Sequence, residues 1–380
     1  MATEFLKFME DWNGYNPVRT KINEAALART IDLVINKERL SPRQHAAKLE
    51  EAITTSDFPY LFGQVIDRQL LANYRAPDEP LYNWRDYVKI GSVSDFNTVR
   101  REKLVGKDPL LPLVPEKGEY QPYKPTNCRY TYHVDKYGRQ FDISWESIIN
   151  DSLGAFNDIP VEMANAAKDT EAYLATTMFA AATGDGNAAL YGATITDCGQ
   201  DITNLGVLPL TIANLETTIR LMKSQTNPSG KRMRIRPKYL VIPPALEFQA
   251  RAILTSALKQ WTEVGAGAGI PVPTTNVIPQ AGLELKINEW LPVIDTTHGD
   301  TAWYLFADPN IGAAIEIGYL RGYESPEVVM KASNKVSVGG GGLMSPFSGD
   351  FETDNIMYRV RDVVGGTPLD PRMTYLQSGA

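Results

Sequence analysis

The chain has 380 residues, enough for two or three domains with ordinary hydrophobic cores. Apolar residues make up 43% and charged residues 22%, and the 29 glycines follow no three-residue period, which excludes whole-chain disorder and a collagen-like fibre. A net charge of −7 argues against a dedicated nucleic-acid binder.

Taken in chain order, residues 22–56 read as helix, with Ile22, Leu27, Ile31, Val34 and Ile35 at helical spacing. Ser41-Pro42 opens a second helix there, as cap and first residue. Leu61, Val65, Ile66, Leu70 and Leu71 continue the pattern until Ala76-Pro77-Asp78-Glu79-Pro80 breaks it. A strand is expected at Asn97–Leu104. A proline-rich stretch follows, and then a second strand at Asn127–Val134, where Cys128, Tyr130, Tyr132 and Val134 alternate with polar residues. So long a tip is unusual inside a compact domain and is commonly functional. Its apolar residues, Leu110, Leu111, Leu113, Val114, Tyr120 and Tyr123, need burial, and a neighbouring subunit can provide it.

The next segment predicts a short helix from Ser144 to about Leu153, a turn at Gly154 and a long helix from Asp158-Ile159-Pro160 to Ala182. Met163, Ala167, Leu174 and Met178 mark one face, many alanines allow close packing, and Gly184 is the expected stop. Beyond it lie loops and hairpins to residue 208, a helix at Leu210–Ser224, a buried strand at Tyr239–Ile242 and a helix from Pro243-Pro244 through Ala257. Gly265 to Gly269 reads as a loop. Strand signals follow at 276–278, 283–287, 303–306, 311–317, 326–331 and 356–364, the last two flanking Val338 to Gly342. The fold class is therefore α+β.

Charge is unevenly placed. Residues 144–206 hold nine acidic residues and one basic residue, Lys168, a net of −8 that accounts for essentially all the acidity. The one basic run is Lys231 to Lys238, whose Arg232, Arg234 and Arg236 share a face of an extended chain. That face is either a solvated surface or a partner for an acidic neighbouring subunit. A nucleic-acid site would carry interleaved aromatics, and none are present.

Catalytic chemistry finds little support. The two cysteines, Cys128 and Cys198, exclude a disulfide framework and any multi-cysteine metal site. They are expected as reduced thiols in a cytosolic protein, although one bridge between them is arithmetically open. His45, His133 and His298 have no metal-ligand spacing, and His133 falls on the opposite strand face from Cys128. Gly184-Asp185-Gly186 and Gly339 to Gly342 lack the Lys-Ser or Lys-Thr of a phosphate loop. Glu352/Asp354 and Glu324/Glu327 are acid pairs of the kind common on surfaces. The expectation is no catalytic, cofactor-binding or metal site, and no cofactor. No leader pattern and no apolar run of about 20 residues appears, so a soluble chain made in the cytoplasm, with no membrane partner, is expected.

Four passages in order resemble the major capsid proteins of tailed bacteriophages, whose fold recurs in encapsulins, over about residues 54–380. Leu113-Val114-Pro115-Glu116-Lys117-Gly118-Glu119-Tyr120 resembles the tip of that family's extended hairpin, the E-loop. Phe141 to Asp151 resembles the approach to its spine helix, and Asp158–Ala182 the helix itself. Arg236-Pro237-Lys238-Tyr239-Leu240-Val241-Ile242-Pro243-Pro244 is similar to a stretch of the axial domain. Phe351 to Asp362 resembles the C-terminal strand, with Asp370-Pro371-Arg372 near the end. The flavour is that of Mu-like head subunits, while the N-terminal 55 or so residues depart from the pattern.

The resemblance implies an N-terminal helical arm at 1–94, the E-loop hairpin at 95–143 and a peripheral domain with the spine helix at 144–206. It places an axial domain at 207–320 and the return to the peripheral domain with the C-terminal strand at 321–380. It implies self-assembly into hexamers and pentamers of an icosahedral head in the virion, assembled in the host cytoplasm. Portal protein, scaffolding or decoration proteins, and non-specifically contacted double-stranded DNA are the implied partners. An encapsulin-like shell around cargo protein is the alternative. The acidic 144–206 segment, if it lines the interior, would repel phosphate, because tight DNA binding needs cations.

Overall fold

A computed structural model describes residues 69–75, 80–105, 113–120, 126–144, 153–228, 230–261, 272–331, 350–353 and 355–379. The helices expected at 22–56, and the glycine loops at 265–269 and 339–342, lie outside the described residues.

Residues 69–75 are helical. Four strands follow: β1 (Lys89–Val93), β2 (Val99–Val105), β3 (Thr126–Tyr132) and β4 (Asp135–Ile143). The long helix α1 spans Leu153–Thr177. Three short strands, β5 (Ile195–Asp197), β6 (Gln200–Ile202) and β7 (Leu205–Gly206), lead to α2 (Ile212–Lys223). Next come β8 (Pro237–Ile242), α3 (Glu247–Thr255), β9 (Leu258–Trp261) and β10 (Val272–Thr275). The chain continues through β11 (Glu284–Ile287), α4 (Leu291–Ile294), β12 (Trp303–Ala307) and β13 (Ile315–Leu320). It finishes with β14 (Glu327–Met330), β15 (Ile356–Pro368) and β16 (Thr374–Gln377). The class is α+β.

The chain divides into two units, one of residues 1–77, 135–169 and 322–363, the other of 78–134, 170–321 and 364–380. In the first, Met163, Ala164 and Ala167 of α1 pack with Leu70, Tyr74 and Val360, and Phe141 stacks on Tyr358 at 5.2 Å. In the second, five strands run in the order β11-β8-β12-β16-β7. The two outer pairs, β11/β8 and β16/β7, are parallel and the inner pairs antiparallel. Trp303, Tyr304, Leu305 and Phe306 of β12 are all fully buried. A run this apolar suits a strand covered on both faces. The helix α2 starts on Thr211, whose side chain accepts from the Asn214 amide.

The long helix differs from expectation at both ends. It is already helical at Leu153 and runs through Gly154 and Pro160, so neither the Gly154 turn nor an Asp158 start occurs. Proline removes one backbone donor, a loss that a 25-residue helix with a buried alanine face tolerates. It ends at Thr177 rather than Ala182. The Thr176 hydroxyl donates to the Ala172 carbonyl, and Asn187 Nδ2 donates to the Met178 carbonyl at 3.0 Å, closing the end before Gly184. The strand expected at 276–278 lies at 272–275 instead. Asn276 is buried, and its side chain donates to the carbonyls of Ile253 and Ser256, so it anchors a corner rather than continuing the ladder.

Candidate functional site: the base of the β2–β3 hairpin

The strands β2 and β3 form a seven-pair antiparallel ladder from Val99↔Tyr132 to Val105↔Thr126. Among the described residues this ladder adds no third strand. A two-stranded hairpin is marginal in water by itself, so something else must hold its base.

A buried carboxylate does so. Glu316, on β13, is 1% exposed. Lys89 Nζ donates to its Oε2 at 3.0 Å, and the two residues face each other in the parallel β1/β13 register. From the hairpin, the Tyr132 hydroxyl donates to Oε1 at 2.8 Å and the Tyr130 hydroxyl to Oε2 at 3.2 Å. Arg101, opposite Tyr130 in the ladder, brings Nε to 3.7 Å from Oε1 and donates through Nη2 to the Ser92 carbonyl at 2.9 Å. A buried charge survives only with such a full set of partners. Burial first, and then the Glu316 carboxylate, push both tyrosine hydroxyls up to about 12, so they stay protonated donors at neutral pH.

Two glycines make the slot. Gly91 and Gly318 face each other in the register, and a Cβ on Gly318 would lie 2.7 Å from the Tyr132 hydroxyl. On Gly91 it would lie 2.6 Å from Glu316 Oε1. Only a strand without side chains at both positions lets the tyrosine reach the carboxylate.

The second anchor corrects the sequence reading. Cys128 and Cys198 are not free thiols but a disulfide, with Cα atoms 5.7 Å apart. Folding brings the β5–β6 turn against β3, a proximity invisible across 70 residues of sequence. With the bridge formed, neither sulfur is available as a nucleophile. His298 offers Nδ1 to the Gly184 carbonyl at 3.4 Å. Among the described residues no group of acids, histidines and cysteines could hold a metal.

The turn carrying Cys198 is itself fixed. Arg372, fully buried, donates through Nη1 to Asp197 Oδ2 at 2.6 Å and to Asp370 Oδ1 at 3.2 Å. Its Nη2 reaches the Asp197 carbonyl and Gln200 Oε1. Sequence reading noted Asp370-Pro371-Arg372 without seeing this role, and it missed Glu316 altogether. Isolated glycines inside the strand-like runs around Gly91 and Gly318 were the available signal.

At the far end of the hairpin, Gly118 donates to the Pro115 carbonyl in a tight turn. Leu113 is 95% and Tyr120 83% exposed there. Arg232, Arg234 and Arg236 are exposed, alternating with buried Ile235 and Pro237, so the basic face exists. Glu327 pairs with Arg361 at 2.6 Å, a partly exposed ion pair. No helix among the described residues is long and apolar enough to cross a membrane.

No curated protein matches the chain. Among solved structures it is similar to that of Gordonia phage Cozz, with 14% identity and a TM-score of 0.44 over 77% of this chain and 85% of that one. The capsid of the native GTA particle matches with 11% identity and a TM-score of 0.46, over 80% and 91% of the two chains. The holo-SrpI encapsulin complex from Synechococcus elongatus matches with 11% identity and a TM-score of 0.41, over 79% and 87%. Residues 129–376, from inside β3 to the last strand β16, match the sequence profile of the phage capsid protein family. The chain therefore belongs to the phage capsid protein family, and it is a structural component of the virion shell rather than an enzyme.

Proposed function

We propose that this chain is the major subunit of an icosahedral phage head, forming hexamers and pentamers around packaged double-stranded DNA. In this reading β2–β3 is the E-loop, α1 the spine helix, the sheet built on β8 and β12 the axial domain, and residues 1–94 the N-terminal arm. Portal and scaffolding or decoration proteins complete the head, which assembles in the host cytoplasm.

The observation that carries this reading is the hairpin. Its base is locked by a buried ion cluster and a disulfide, while its tip shows Leu113 and Tyr120 almost fully to solvent. An apolar tip held on a rigid base is built to bury itself on a neighbour. One repeated heterologous contact of this kind closes into rings when the rotation allows. The test is negative-stain imaging of the chain expressed alone, beside its mass by light scattering. Closed shells without enclosed protein support the reading. Shells packed with one foreign protein overturn it in favour of a cargo compartment. Monomers that do not assemble even with the scaffolding protein added overturn it as well.

A further inference from the structure

The chain's only two cysteines, Cys128 and Cys198, meet although 70 positions separate them. Their Cα distance of 5.7 Å lies inside the range of roughly 4.4–6.8 Å that a bridge requires. Cys198 occupies an unusual place. Together with Gly199 it makes the two-residue turn between β5 and β6, with φ of 57° and 78°. Such a turn takes Asn, Asp or Gly at its first position, because a side chain there disfavours positive φ. A cysteine in that position is explained by its sulfur and not by its backbone.

The surroundings hold that sulfur still. Asp197 and Gln200, which flank the turn, are both gripped by buried Arg372, and Gln200 Nε2 donates to Thr226. Cys128 lies on the same face of β3 as Tyr130 and Tyr132, the two donors to Glu316. Both cysteines are only partly buried, Gly199 is exposed, and nothing lies within 4 Å of where a Gly199 Cβ would sit. A small thiol or disulfide in solution can reach the pair, which is where exposed bridges differ from core ones.

We propose that Cys128 and Cys198 are an oxidation site that sets the hairpin base. They are dithiol while the subunit is in a reducing cytosol and become disulfide after it leaves that compartment. The inference deepens the capsid reading and rests on it for the compartment change alone. Glutathione disulfide serves as the oxidant. One cysteine loses its proton, and its thiolate attacks a sulfur of glutathione disulfide, releasing one glutathione as thiolate, which takes up a proton. The second cysteine, also deprotonated, attacks the protein-bound sulfur of the mixed disulfide and releases the second glutathione. Two protein thiols are oxidised, and one glutathione disulfide is reduced to two glutathiones, which carry the two protons.

In the oxidised state β3 is tied to the β5–β6 turn at Cys128 and to β13 through Glu316. In the reduced state only the Glu316 cluster remains, and the hairpin base breathes more freely.

The experiment uses the full chain expressed in an ordinary cytosol. Cells are quenched in acid and alkylated at once, and alkyl groups are counted by mass. Purified subunit is then treated with glutathione disulfide, or left in dithiothreitol, and amide hydrogen exchange is followed in β2 and β3. The expected result is two alkylated cysteines at quench, one Cys128–Cys198 cross-linked peptide after oxidation, and at least a ~10-fold slowing of exchange in β3. The thermal midpoint should rise by roughly 5–15 °C on oxidation. Cys128→Ser should match the reduced wild type with or without oxidant. Should that variant fold poorly, dithiothreitol reversal of oxidised wild type reads the same difference. A bridge already complete at quench overturns the proposal, as does persistent glutathionylation without cross-link, or identical exchange in both states. Shell formation is scored separately by imaging, so failure of the capsid reading and failure of this inference give different results.

Discussion

Arg372 and Asp197 close on each other at 2.6 Å across 175 residues of chain, the guanidinium wholly buried. That pair joins the segment before β16 to the turn that presents Cys198. Replacing Arg372 by Ala takes the guanidinium from buried Asp370 and half-buried Asp197 and should cost about 3–5 kcal/mol. Asp197→Asn keeps the shape, retains a neutral acceptor and should cost less. Urea unfolding of the two variants checks the order, and a loss under about 1 kcal/mol for Arg372→Ala would remove the pair from the list of structural anchors.

Glu316→Gln should loosen the hairpin base. The amide that replaces the carboxylate accepts from fewer donors and leaves Lys89 and Arg101 without their counter-charge. We expect faster amide exchange in β2 and β3 and roughly 2–4 kcal/mol lower stability. Gly318→Ala fills the slot of Tyr132 and should cost about 1–3 kcal/mol. If Gly318→Ala is neutral in a denaturation curve, the slot is roomier than described.

The tyrosines give a pH signature. A hydroxyl raised to about 12 in the folded chain, against an ordinary 10, holds its proton more tightly folded than unfolded. The stability it contributes is complete below pH 10 and is lost as pH climbs from 10 to about 12. Absorbance at the tyrosinate band should therefore show at least two late-titrating tyrosines, and both Tyr130→Phe and Tyr132→Phe should remove one each. Early titration of all exposed and hairpin tyrosines together would contradict the cluster.

At the tip, Leu113→Asp with Tyr120→Asp should leave the subunit folded, since neither side chain is buried in it. Assembly yield in sedimentation should fall by an order of magnitude or more. Unimpaired shells would show that the tip is not a contact.

Under the proposed head assembly, the acidic segment offers a test of what would face enclosed DNA. Reversing exposed Glu162 and Asp185 and half-buried Asp169 to Lys should raise nucleic-acid retention by empty shells, read from the ratio of nucleic-acid to protein absorbance. An unchanged ratio would sink the idea that this segment lines the interior.

Some of this was legible in the residues. Alternation at Cys128, Tyr130, Tyr132 and Val134 marked β3, and the unbroken apolar run before Pro243 marked β8, because both patterns are local properties. Helix α1 was visible in its alanines but its ends were not, since its close depends on Asn187, ten residues downstream. Glu316 sits within a stretch that reads as an ordinary apolar strand. Its meaning depends on Lys89, Arg101, Tyr130 and Tyr132, which reach it from far along the chain. The Cys128–Cys198 pair was missed for the same reason. Such links are set by topology, and no window along the chain contains them.

The placement of β16 carries a consequence for synthesis. This strand inserts between β12 and β7, in the interior of its sheet, although it is made after every other strand in it. A ribosome adding about 5–20 residues per second needs roughly 10–30 s to travel from β7 to β16. Throughout that interval the nascent sheet has an open seam, and Leu205 and Gly206 have no neighbour in it to pair with. The unit cannot close on the ribosome until β16 emerges, which delays docking between growing chains on one message until then.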